Sequence, residues 1–161
     1  MGGNIKLIVD TSIFVRLLKP ESYTRKIFYQ ITAIVSPYLI YEVYKHKKRI
    51  SKFTGIPEDE ILRVIGYLLE FCEICPEVVY FDRWNEALEI AKNFDPKDTP
   101  FIALALKLSV PIWTNDRKMI EYGLRTGKYL ALDTQAVEEL LQGKSLEEIK
   151  NNLKSRYLKI K

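Results

Sequence analysis

Histidine occurs once in this chain, at His46, and cysteine twice, at Cys72 and Cys75. A structural zinc centre takes four ligands, usually as two spaced pairs, so a single Cys-x-x-Cys with no second pair and no histidine nearby excludes one. A thioredoxin-like motif opens a helix after a strand, whereas this pair reads as the close of a helix ahead of Pro76. Buried thiols are expected, and a disulfide between them stays open. Glycine is sparse, and neither GxGxxG nor GxxxxGK[ST] occurs. A nucleotide-binding domain with a Gly-rich phosphate cradle is therefore unsupported. No apolar run has the length of a bilayer span, and Met1 to Lys6 lacks the apolar core of a signal peptide, so a cytoplasmic protein with no membrane association is expected. Charge of one sign is also scarce: the net value of +4 permits a nucleic-acid partner without demanding one.

What is present suits one globular domain. The chain has 161 residues, 47% of them hydrophobic and 29% charged, enough for a full core. Short apolar runs at Lys6–Asp10, Ala33–Ser36, Val78–Phe81, Val110–Thr114 and Tyr129–Leu132 read as strands. Helical stretches alternate with them: Ile13–Leu18, Tyr23–Ile31, Tyr38–Lys52 up to Gly55, Pro57 to Cys72, Arg83–Asn93, Asp98–Leu108, Lys118–Arg125, Asp133–Gln142, and a Lys/Glu-rich helix from Ser145. Such alternation predicts an α/β fold, a parallel sheet of four to five short strands covered by helices on both faces. Residues 1–143 form the body, and 144–161 a helical extension of the same domain.

Asp10, Glu42, Asp98 and Asp116 are the candidates for chemistry. Ligands of parallel α/β sheets bind outside the carboxyl ends of the strands. Asp10 ends the first predicted strand, Asp116 follows the fourth, Asp98 starts the helix that feeds it, and Glu42 lies one turn into the helix after the second. All four flank apolar runs, where a carboxylate is costly unless its charge is offset. Carboxylates are hard oxygen donors suited to Mg²⁺ or Mn²⁺. Plainer roles compete. Asp98 suits an N-cap, Asp10 or Ser12 suits a cap of the first helix, and Asn115-Asp116 suits an Asx turn. Taken singly these three favour the plain role, and Glu42, beside Leu39, Ile40 and Val43, is harder to dismiss. The four together favour a site.

The runs LIVDTSIF (Leu7 to Phe14), LIYEVYKH around Glu42, DTPFIALAL (Asp98 to Leu106) and WTND (Trp113 to Asp116) resemble the PIN domain, in order and spacing and over nearly the whole chain. The resemblance implies a Rossmann-like metal-dependent ribonuclease, like VapC-type toxins and RNA-processing nucleases. It implies that Asp10, Glu42, Asp98 and Asp116 bind Mg²⁺ or Mn²⁺, and that Ser12, in an Asp-x-Ser/Thr pattern, supports them by hydrogen bonding. Asn115 matches a polar position beside the fourth acid. Asp95 competes with Asp98 for its role, and the helix register favours Asp98. The helix from Ser145 extends past the short toxins. Partners implied are RNA, a second copy in a homodimer, and a small antitoxin whose Arg or Lys would enter the acids. Apolar helix surface for the dimer is offered by the Tyr-rich helix from Tyr38 and by Ile61 to Phe71.

Lys45, His46, Lys47, Lys48 and Arg49 follow Glu42 as a basic run. Alone it is a solvated helix face. Beside acids that repel phosphate it gains meaning as a substrate-binding element. Tyr38, Tyr41 and Tyr44 flank Glu42; packing is the ordinary role of such rings, and stacking on RNA bases the functional one. The sequence thus points to a divalent-metal ribonuclease, as a toxin or a housekeeping RNA-processing enzyme. The rival is a non-catalytic RNA-binding or scaffold protein on the same fold, against which the presence of all four acids counts.

Overall fold

The computed structural model describes residues 5–20 and 22–159. The expected domain ranges 1–143 and 144–161 therefore reach, at both ends, outside the described residues.

Five parallel strands form one sheet in the order β3-β2-β1-β4-β5. They are β1 (Lys6–Val9), β2 (Thr32–Val35), β3 (Cys72–Ile74), β4 (Ile112–Trp113) and β5 (Ala131–Leu132). The register pairs Ile8 with Ile34 on one side and with Ile112 on the other. Leu7, Ile8 and Val9 are all fully buried, and Ala33 to Val35 nearly so. Successive strand residues point to opposite faces, so both faces of the sheet are covered. Each such aliphatic side chain contributes about 1.5–3 kcal/mol by leaving water.

Eleven α-helices do the covering among the described residues: α1 (Thr11–Leu18), α2 (Tyr23–Phe28), α3 (Pro37–Lys45), α4 (Lys47–Thr54), α5 (Glu58–Leu69), α6 (Glu77–Tyr80), α7 (Trp84–Ala91), α8 (Thr99–Leu108), α9 (Arg117–Thr126), α10 (Thr134–Leu141) and α11 (Leu146–Tyr157). None is long and apolar enough to cross a membrane. One group packs around α1, which touches α2, α3, α4 and α5; α8 packs on α7 and β1, and α11 on α9 and α10. In α8 every residue from Thr99 to Ala105 is buried, as an apolar helix wedged between neighbours must be.

Three sequence expectations are corrected. The third strand is Cys72–Ile74, and Val78–Tyr80 is helical instead. A β-branched run suggests a strand, but Pro76 precedes it with φ −62°, Glu77 opens a first helical turn, and Val78 is 82% exposed. The true β3 is a three-residue edge strand, so it needs no apolar run and tolerates Glu73 at its centre. It pairs Ala33 with Cys72 and Val35 with Ile74. The cysteines accordingly do not close a helix: α5 ends at Leu69, and both thiols are free and partly buried. Burial alone pushes the Cys72 thiol up to about 12, which makes it unreactive. The helix expected over Tyr38–Lys52 divides at His46 into α3 and α4, although the i to i+4 bonds Glu42 O to His46 N and His46 O to Ile50 N run through the break. Gly55, with φ +78°, ends α4 in the left-handed region that favours glycine.

Candidate active site

The strand order reverses between β1 and β4, and that switch point is where an open parallel sheet leaves a crevice beyond its carboxyl ends. Asp10 follows β1 there, and Thr114, Asn115 and Asp116 follow β4. Asp10 is 4% exposed. Its Oδ1 accepts from Ser12 Oγ at 2.7 Å and from the backbone N–H of Ile13 at 3.1 Å, which caps α1. Its Oδ2 accepts from Thr114 Oγ1. Thr114 Oγ1 in turn accepts from the N–H of Asp116 at 2.9 Å, and Ser12 Oγ from the N–H of Asn115 at 3.2 Å. Two hydroxyls thus stitch the β1 loop to the β4 loop. Burial drives the Asp10 carboxyl up to about 6, against the pull of these donors.

Glu42, half-buried on α3, accepts from Thr11 Oγ1 at Oε1 and from Tyr38 OH, 3.2 Å away, at Oε2. Asp116 caps α9, its Oδ1 taking the N–H groups of Lys118 and Met119 at 2.9 and 3.2 Å. Asp95 caps the short 3₁₀ turn Pro96–Asp98, accepting from Lys97 N at 3.0 Å.

Asp98 differs from all of these. It stands at the start of α8, yet its side chain caps nothing and accepts no hydrogen bond among the described residues. Desolvation first, then the charges of Asp10, Asp116, Asp95 and Glu42, push its carboxyl up to about 8. Burial first, then Glu42, Asp95 and Asp98, raise Tyr38 to about 12. The five acids therefore share one electrostatic field. None is ion-paired with a described Lys, Arg or His. No group of three or more His, Cys, Asp or Glu side chains is gathered into a ready metal cage among the described residues. Without a counter-ion, four of these like charges turn to a nearby hydroxyl or N–H, and Asp98 turns to none. The donor set itself, all carboxylate oxygen, suits a hard divalent cation.

A cleft of about 430 Å³ opens from Thr11, Ser12, Glu42 and Asn115. It continues along α1 past Val15 and Arg16, and along α4 past His46, Arg49, Ile50 and Phe53. The basic run is split by its helix. His46 and Arg49 line the cleft; Lys45 lies over the Tyr41 ring, with Nζ 5.9 Å from its centre, Lys47 over Tyr44 at 4.4 Å, and Lys48 is exposed. Tyr38 is partly buried against Phe101 and bonded to Glu42, whereas Tyr41 and Tyr44 are exposed.

Sequence reasoning missed Thr11, Thr114, Arg16 and Phe53. Thr11 and Thr114 stood inside the quoted motifs, but which carboxylate each hydroxyl serves is set by loops 31 and 104 residues apart in the chain. Phe53 was legible as the end of a stripe, since 42, 46, 49, 50 and 53 recur at helical spacing.

The family model of the PIN domain matches residues 8–154. No curated protein matches the chain. PIN domains are in general nucleases that use divalent metals.

Proposed function

The chain belongs to the PIN-domain family, and on that premise we propose that it is a divalent-metal-dependent endoribonuclease that hydrolyses RNA phosphodiester bonds. One observation carries the proposal. Asp98 is half-buried, has no hydrogen-bond donor among the described residues, and has four other carboxylates raising its proton affinity. A merely structural acid acquires a donor or a cation, and this one has neither.

Asp10, Glu42, Asp98 and Asp116 are the residues that would hold Mg²⁺ or Mn²⁺. When bound, such an ion supplies Lewis-acid chemistry, making a nucleophile of water at neutral pH and offsetting charge on the phosphodiester. The chain's own groups do the rest. Ser12 and Thr114 fix the two oxygens of Asp10, and Thr11 and Tyr38 those of Glu42, so the carboxylates are oriented in advance. The carboxylates take the proton of the attacking water. Arg16, His46 and Arg49 draw phosphate toward acids that would repel it.

Purified protein incubated with labelled RNA should cleave it with Mn²⁺ and fail to do so in excess EDTA. Equal cleavage in EDTA would refute the reading. A cytoplasmic site of action fits the two free thiols. Exposed Tyr41, Tyr44, Leu62, Tyr67 and Phe71 leave apolar surface for a homodimer. The unneutralised acids would attract an Arg or Lys of a small antitoxin. A toxin role predicts slowed growth on expression without a partner, relieved by Asp10→Asn. Normal growth with active enzyme would favour housekeeping RNA processing.

A further inference from the structure

We propose that the cleft between α1 and α4 seats one unpaired nucleobase of the RNA, stacked on Phe53, with the adjoining phosphates held by Arg16 and Arg49. The inference rests on the ribonuclease reading and adds to it how the substrate is chosen.

Phe53 is 52% exposed although it is a large apolar ring. It borders a cleft whose other apolar walls are Val15 and Ile50. An apolar slot that ends in an open aromatic face takes a flat, weakly hydrated group, and every base offers a π-face to such a ring. Lys19 Nζ lies over the ring, 5.6 Å from its centre, and adds positive charge beside this platform. Arg16 and Arg49 line the same cleft, and neither guanidinium has a hydrogen bond or ion pair among the described residues. Free guanidinium groups beside an apolar slot fit an anionic backbone that carries a base.

The slot is continuous with the acids, because Ser12, Glu42 and Asn115 line it at its other end. From Glu42 to Phe53 the helical stripe spans eleven residues, roughly 16 Å at the α-helical rise. A base on Phe53 and a scissile phosphate at the acids therefore belong to different nucleotides of one strand. A paired base keeps both faces stacked within its duplex and has none to give Phe53. The device selects single strands.

The test uses metal-free protein, so that binding is read without cleavage, and a single-stranded RNA carrying 2-aminopurine. Wild type should quench the probe as it stacks. Phe53→Ala should abolish the quenching and weaken binding roughly 5- to 150-fold, while Phe53→Trp restores both. A duplex of the same sequence should bind more weakly, and Phe53→Ala should leave that binding unchanged. Arg49→Gln should lower the slope of log affinity against log salt by about 0.7 on the single strand. Phe53 is half-exposed, so circular dichroism should find Phe53→Ala folded. A Phe53→Ala protein that binds single strands like wild type, or a wild type that binds duplex equally well, overturns the base slot while metal-dependent cleavage still stands. A wild type that neither binds nor cleaves RNA overturns the ribonuclease reading together with the slot.

Discussion

Two places in this molecule hold carboxylates out of water, and they resolve the resulting charge in opposite ways. Near the C-terminus, Asp133 caps α10 through the N–H of Ala136 and accepts from Arg156 Nη2 at 2.8 and 2.9 Å and from Tyr157 OH at 2.9 Å. Glu139, 7% exposed, takes Lys144 Nζ at 3.0 Å and Asn152 Nδ2 at 2.9 Å, with Arg156 Nη1 3.9 Å away. Lys144 holds the Glu139 carboxyl below the usual range. At the β1/β4 crevice, among the described residues, Asp10, Glu42 and Asp116 have hydroxyls or N–H groups, Asp98 has neither, and no acid has a cation; Asp10 and Asp98 are raised to about 6 and about 8. The first arrangement holds a helix in place. The second stores repulsion that an ion from solution would relieve.

The largest effect expected from breaking this contrast is at Asp98. Asp98→Asn removes the charge at nearly constant shape. Metal-dependent RNA cleavage should fall by on the order of 100-fold or more, since losing a supporting group alone typically costs 10–100-fold. Metal-free Asp98→Asn should also be more stable than wild type at pH 8 in urea unfolding. Asp95→Asn loses a cap on a three-residue turn and should leave the rate within a few-fold. Equal loss in both variants would show that the field has no special member.

Arg156→Ala breaks the other region. It leaves Asp133 a tyrosine and a backbone donor but no cation, and removes the nearest cation from Glu139 Oε1, which has no hydrogen bond among the described residues. The expected loss is about 1–3 kcal/mol, with Mn²⁺ affinity unchanged in titration calorimetry. A shift in Mn²⁺ affinity would mean that the two regions are coupled.

Acid should act on the two regions in opposite senses. A carboxyl raised in the folded state contributes stability that is fully present below its ordinary value near 3.8 and lost as pH rises through the folded value. Asp10 and Asp98 therefore weaken the metal-free fold progressively between about pH 4 and pH 8. Glu139 is lowered, so its contribution is present above its ordinary 4.5 and lost as pH falls below it. The stability gap between Asp98→Asn and wild type should open as pH rises from 4 to 8, and saturating Mn²⁺ should close it. The gap between wild type and Glu139→Gln should shrink below about pH 4.5. Parallel pH profiles for both variants would erase the distinction.

How much of this was legible in the sequence follows the same divide between local and remote causes. Asp10, Ser12, Asp98 and Asp116 sit at element boundaries, so local pattern placed them at the carboxyl edge of the sheet before any contact was known. Helix register alone favoured Asp98 over Asp95 for the site. β3 was missed because a three-residue edge strand leaves no apolar run, while Val78 and Val79 imitate one on an exposed helical turn. Thr114 serves Asp10 from 104 residues away, and nothing local announces that. The basic run was visible, but which of its members face the cleft depended on the break at His46.

The smallest effect tests whether the crevice wants a cation of any origin. Asn115 is exposed between Thr114 and Asp116, its backbone N–H is already bound to Ser12 Oγ, and its side chain makes no hydrogen bond among the described residues. Asn115→Lys would bring an ammonium beside the acids without disturbing that bond, in imitation of Lys144 beside Glu139. An exposed lysine contributes at most about 1 kcal/mol, which for a domain of this size is a rise of roughly 2–4 °C in the metal-free melting temperature. The added charge should also weaken Mn²⁺ binding, because ion and ammonium compete for the same field, and the rise should vanish in the Asp98→Asn background. A metal-free melting temperature unmoved by Asn115→Lys would mean that the hydroxyls of Thr11, Ser12 and Thr114 already offset the carboxylates, and that the two acidic regions differ less than their partners suggest.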